Sequence, residues 1–148
     1  MIFVDAFFKT TLISVLVWAA VRDIRKKEVS ATLLILCGVV ALLDIIVILF
    51  MNTATVWSLI ACLIPGAVML LISRATGQSL GYGDGLMALC IAPAFGLEKA
   101  ALGLILAVFL CGFLSLFLLV CKKAKGKTRI PFLPFMAVGM GVMVLAQV

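Results

Sequence analysis

The chain contains no histidine. That absence removes Ser-His-Asp and Cys-His mechanisms and histidine-based zinc sites. Charge is scarce as well: 12% of the 148 residues are Asp, Glu, Lys or Arg, where a soluble domain carries about 25%. Five cysteines are present, Cys37, Cys62, Cys90, Cys111 and Cys121, and none is spaced C-x-x-C. Each lies in or at the end of an apolar run, so they read as small hydrophobes, not as disulfides or metal ligands. No repeat or low-complexity stretch is visible. What the chain does have is apolar mass: 66% of its residues are hydrophobic and the mean hydropathy is +1.39. A secreted protein, a nucleic-acid-binding domain and a disordered segment are excluded. An all-α, polytopic membrane protein remains, expected as one domain over residues 1–148. At about 20 residues per spanning helix, at most about six or seven crossings fit.

The apolar runs predict six crossings. Ile2–Val21 is the first; it is longer than a signal-peptide core, lacks a basic leader and is followed by further spans. Arg22–Ser30 is a charged loop or helix extension. Ala31–Phe50 is the second span, with Asp44 inside it. Val56–Ser73 is the third, with a kink expected at Pro65-Gly66. Arg74–Gly85 has four glycines in twelve residues. Leu86–Leu97 follows, and as a helix it rises only about 18 Å, short of the ~30 Å hydrocarbon core. This fourth span must borrow residues from the glycine-rich segment or from Glu98-Lys99, which is read as a turn. Ala100–Cys121 is the fifth span, Lys122–Arg129 a basic loop, and Ile130–Val148 the sixth span.

The chain has twelve Lys and Arg against six Asp and Glu, a net charge of +6. Ten of the twelve fall in the first, third and fifth connections: Arg22, Arg25, Lys26 and Lys27; Arg74; Lys122, Lys123, Lys125, Lys127 and Arg129. The positive-inside rule then places those connections in the cytoplasm and both termini outside. No nucleic-acid partner is needed to explain the charge.

Ionisable residues at membrane depth are functional candidates by default. The topology sorts the aspartates. Asp23 ends the first span and Asp84 begins the fourth, both toward the cytoplasm, whereas Asp5 and Asp44 lie toward the outer side. Only Asp23 and Asp84 share a depth. Asp84 sits in Gly81-Tyr82-Gly83-Asp84-Gly85, where the glycines permit close approach of a second backbone. Two carboxylates sharing one proton form an acid–base pair that needs neither histidine nor metal. Blander readings stand beside this one. Asp23 as a solvated residue paired with Arg22 or Arg25 is the first. The second is Asp84 as the N-cap of a helix after a flexible turn. Lys9 pairs with Asp44 across neighbouring helices, or with Asp5 four residues away on its own helix.

Three motifs carry a resemblance. Asp23-Ile24-Arg25 followed by Val29-Ser30 resembles the D-x-R-x-x-x-I-P element of type IV prepilin peptidases. Gly81-Tyr82-Gly83-Asp84 is similar to their G-x-G-D element. Arg129-Ile130-Pro131-Phe132-Leu133-Pro134-Phe135, with Gly139 beyond it, is similar to their R-I-P-F-x-P-F…G segment. The resemblance runs in order over nearly the whole chain. It implies a GxGD intramembrane aspartic endopeptidase of the cell membrane. Such a protease removes the cytoplasmic leader of prepilins or pseudopilins, with Asp23 and Asp84 as the catalytic pair. Gly81, Gly83 and Gly85 would then let substrate backbone approach. The chain departs from the pattern at Leu86, where a Lys is usual, at Val29-Ser30 in place of Ile-Pro, and at Ala92 in place of Gly. It also lacks the paired CxxC segment and methyltransferase of longer members, which implies a peptidase-only form without zinc or S-adenosylmethionine. The expected partners are a leader-bearing prepilin and the lipid bilayer. Two rival readings remain: an ion or proton path through Asp5, Lys9 and Asp44, and a catalytically silent membrane scaffold.

Overall fold

The computed structural model describes residues 2–26, 30–51, 54–75, 81–121 and 131–146. The basic loop 122–129 lies outside the described residues, as do Lys27, Val29, Asn52, Gln78, Ile130 and the Asp5 side chain. Every regular element among the described residues is helical: α1 Ile2–Lys26, α2 Ala31–Phe50, α3 Val56–Cys62, α4 Ile64–Ala75, α5 Tyr82–Phe95, α6 Leu97–Val120 and α7 Leu133–Leu145. Helices α3 and α4 are separated by Leu63 alone, so together they make one broken segment, and the described residues form six helical segments. Pro65 explains the break, since it has no N–H to give back to Ala61 and its ring crowds that carbonyl. Among the described residues, three helices are long and apolar enough to cross a bilayer outright: α2, the α3–α4 pair and α6.

Two expected boundaries move. Glu98-Lys99 is not a turn but the first turn of α6. The chain reverses one step earlier, at Gly96, whose φ of 82° is a conformation that residues with a side chain rarely adopt. Glu98 then lies where the partial positive charge of a helix N-terminus favours an acid. The fourth span does borrow from the glycine-rich segment, beginning at Tyr82. The last helix, α7, is shorter than the apolar run that predicts it. Pro131 precedes it, and Pro134 occupies its first turn, where a missing N–H costs nothing.

Helix α5 is central, packed by α2, α4, α6 and α1, and α7 fills the space between α1 and α6. The buried seam runs through Leu12 and Leu16 of α1, Met87 and Ile91 of α5, and Leu133 and Met136 of α7. Outward-facing Phe3, Phe50, Trp57, Phe109 and Phe113 are highly exposed. A surface so apolar is covered by lipid, and the chain is a membrane protein. Small residues bring the helices close. A Cβ on Gly66 would come within 2.8 Å of the Leu89 backbone, and one on Gly103 within 2.6 Å of Met140 Sδ.

Toward the opposite end of α1 and α2 from Asp23, Asp44 is only 2% exposed. Neither Lys9 nor Asp44 is without an interaction partner. If the two meet across the α1–α2 contact, Lys9→Leu and Asp44→Leu each leave a charge facing apolar surroundings. The insertion cost of such a charge is on the order of 2.5–3.5 kcal/mol. Thermal unfolding in detergent should show each single variant destabilised and the double variant recovering much of the loss. Losses that simply add would show that the two side chains do not meet.

Candidate active site

The last turns of α1 read Arg22-Asp23-Ile24-Arg25-Lys26. Four charges in five residues place this end of the helix beyond the hydrocarbon, outside the apolar stretch that crosses it. Asp23 nevertheless is 5% exposed, so it is not a solvated loop residue. Its carboxylate turns inward to the start of α7, where the Leu133 backbone N–H donates to Oδ2 at 3.3 Å. The Phe132 N–H lies beside it and also favours the carboxylate. These amides belong to the first turn of a helix and have no carbonyl partner within it, so a carboxylate satisfies them.

Asp84 stands in the first turn of α5, at the same boundary. Gly81 is the N-cap residue, and its carbonyl accepts the Asp84 N–H at 3.0 Å. In return the Gly81 N–H donates to the Asp84 carboxylate. Asp84 is therefore the third helical residue reaching back to the cap, one half of a capping box, and not the cap itself. Glycine at 81 has a local reason. A Cβ there would lie 2.8 Å from Asp84 Oδ2, so any side chain would push the carboxylate away.

The structure brings Asp23 and Asp84 together closely enough for the charge of one to act on the other. Asp84 is likewise only 5% exposed. Burial raises the Asp23 carboxyl, opposed by the N–H groups of Leu133 and Phe132. Two buried carboxyls whose charges act on one another resist double ionisation.

The three glycines separate into different surroundings. Gly81 is exposed at the mouth, and Gly83 is half-buried at the second position of α5. Gly85 is buried, and a Cβ there would come within 2.7 Å of Leu70 Cδ2 and 3.2 Å of the Leu70 N. Its lack of a side chain lets α4 approach α5. Sequence reasoning missed two features of the site. One is the pair of backbone amides at the start of α7; Pro131 and Pro134 hint at a shaped helix start but not at what it touches. The other is Ser73, which is 1% exposed. The α4–α5 contacts pair Gly66 with Leu89 and Leu70 with Gly85, and that antiparallel register places Ser73 level with the start of α5. Among the described residues, no three Cys, Asp or Glu side chains gather as metal ligands.

Fold and site together define a polytopic helical membrane protein with two buried, interacting aspartates at one end of its bundle. The sequence pattern of the type IV leader peptidase family matches residues 10–116, a span that includes both aspartates, and the chain belongs to that family. It is accordingly a protease of the leader-peptidase kind. Leu133 and the rest of α7 lie beyond the matched residues. No curated protein and no solved structure matches the chain significantly.

Proposed function

We propose that the chain is an aspartic endopeptidase that removes the leader peptide of type IV prepilins or pseudopilins, with Asp23 and Asp84 as its catalytic pair. The observation that carries this reading is the convergence of two buried carboxyls from α1 and α5, 61 positions apart in the sequence, at one boundary of the bundle. One carboxylate takes a proton from water as the water oxygen attacks the scissile carbonyl carbon. The other, protonated, gives its proton to the carbonyl oxygen. In the second step the newly protonated acid protonates the leaving nitrogen. Its partner takes a proton from the tetrahedral carbon's hydroxyl, and the C–N bond breaks. The sum is peptide plus water giving acid plus amine, with both carboxyls restored. Gly81, exposed beside the Asp84 carboxyl, leaves room at the mouth for an extended substrate backbone.

The test is co-expression with candidate prepilins, with the mass of the pilin as readout. Loss of the leader is expected; a full-length pilin beside every candidate would contradict the reading. The ion-path rival has less support, because the shared boundary of Asp23 and Asp84 has no part in it.

The reading requires the pair to face the cytoplasm, where the leader is. In a variant with the five native cysteines replaced, single cysteines at Lys26, Gln78 and Lys125 should be labelled by a thiol reagent from the cytoplasmic side. One at Asn52 should be labelled only from the other side. Cytoplasmic labelling at Asn52 would reverse the orientation and separate the site from its substrate.

A further inference from the structure

The two aspartates are not held alike. Asp84 receives one backbone N–H, from the Gly81 residue that caps its own helix. Asp23 accepts its hydrogen bond from Leu133, with the Phe132 N–H beside it; both belong to the start of a different helix, some 110 residues further along the chain. First-turn amides carry the positive end of the helix dipole and favour an ionised acceptor. We propose that the start of α7, with Leu133 as its positioning residue, fixes the division of labour in the pair. It holds Asp23 as the acceptor of the proton from water and leaves Asp84 as the donor to the scissile carbonyl. This rests on the leader-peptidase reading above and assigns roles within it.

The surroundings of Asp23 support the asymmetry. Helix α7 presents no titratable or charged side chain among its described residues. Helix α5 faces Asp23 with Asp84, preceded by Tyr82 at the mouth, and carries Cys90 deeper in the bundle; α2 contributes Cys37 and Asp44, also deeper. Arg22 and Arg25 flank Asp23 on its own helix, Arg22 half-buried and Arg25 exposed. Among the described residues, the hydrogen bond that holds Asp23 comes from a backbone N–H, while Asp84 also lies within electrostatic reach of Cys111 on α6. The close α6–α7 packing through Gly103 and Gly139 sets where the first turn of α7 stands.

The experiment replaces Leu133 by its α-hydroxy acid analogue in the purified full chain. This backbone ester removes one N–H and keeps the side chain. Rates of prepilin cleavage are then followed against pH. The acceptor must be ionised, and the lost N–H favoured the ionised form. Its loss therefore moves the acidic limb of the profile to higher pH, by about one unit or a tenfold lower rate on that limb. KM and the alkaline limb should stay in place. An alkaline limb that moves instead, or a profile identical to wild type, would overturn the assignment. A wild-type chain that cleaves no prepilin would fail the underlying reading instead, which keeps the two failures distinct. Should the ester chain not fold, wild-type protein carrying ¹³C-labelled aspartate side chains reads the same point. Spectra of Asp23→Asn and Asp84→Asn assign the resonances. Asp23 titrating below Asp84 is expected, and the reverse order would overturn the proposal.

Discussion

Asp23→Asn and Asp84→Asn, each alone, are expected to abolish leader cleavage while the protein still inserts and folds. An amide neither takes a proton from water nor gives one to a carbonyl oxygen at neutral pH. Each substitution therefore removes one half of the acid–base pair and leaves the other without a function. General acid–base contributions of this kind are worth about 10²–10⁴-fold, and the double variant should be no worse than either single one, because the pair acts as a unit. Neither change should unfold the bundle. Asparagine keeps an acceptor oxygen for the Leu133 or Gly81 N–H, and replacing an acid that burial already disfavours as a charge removes a cost. The check is cleavage by purified variants matched for helical content by circular dichroism. Near wild-type cleavage by either single variant would show that the two acids do not work as a pair.

The second large effect is expected far from the acids, in the middle of the α6–α7 contact. A Cβ on Gly139 would collide with the Gly103 carbonyl oxygen and lie 3.3 Å from the Ala107 N. These are backbone atoms of a helix and cannot swing aside, so α7 must move away from α6. Overpacking of this kind costs about 1–3 kcal/mol. Because the first turn of α7 holds the Asp23 carboxylate, the same displacement disturbs the site. Gly139→Ala should therefore lower both the thermal midpoint in detergent and the cleavage rate. Gly141→Ala is the matched control, two residues along the same helix, where an added Cβ meets nothing within 4 Å. It should leave both unchanged. A Gly139→Ala protein as stable and active as wild type would mean that the helices do not approach as closely as described.

How far the sequence could be read depended on whether a feature was local. Ala31–Phe50 was legible to the residue, because an apolar run with Asp44 as its one charge is bounded on both sides by polar chain. The broken third span was legible because Pro65 acts on its own turn. The level shared by Asp23 and Asp84 followed from counting crossings. The turn before α6 was not legible: Glu98-Lys99 is the polar pair, but backbone conformation, set by Gly96, decides where the chain reverses. Glycine itself is ambiguous in a sequence. Gly81 makes room for a carboxylate and Gly85 for a neighbouring helix, and nothing in Gly81-Tyr82-Gly83-Asp84-Gly85 tells one use from the other. The hold of Leu133 on Asp23 joins residues 110 apart through a backbone amide, which every residue but proline possesses. Side-chain patterns carry no trace of it.

The central claim is that this chain hydrolyses a prepilin leader with its two buried aspartates. The most direct measurement places the purified chain in lipid vesicles with a prepilin and a metal chelator, and reads the pilin by mass spectrometry. The account predicts a pilin shortened by its leader with the wild-type chain, and an intact prepilin with Asp84→Asn at equal folded amount. An intact prepilin with wild type, or leader removal that persists in Asp84→Asn, would contradict it.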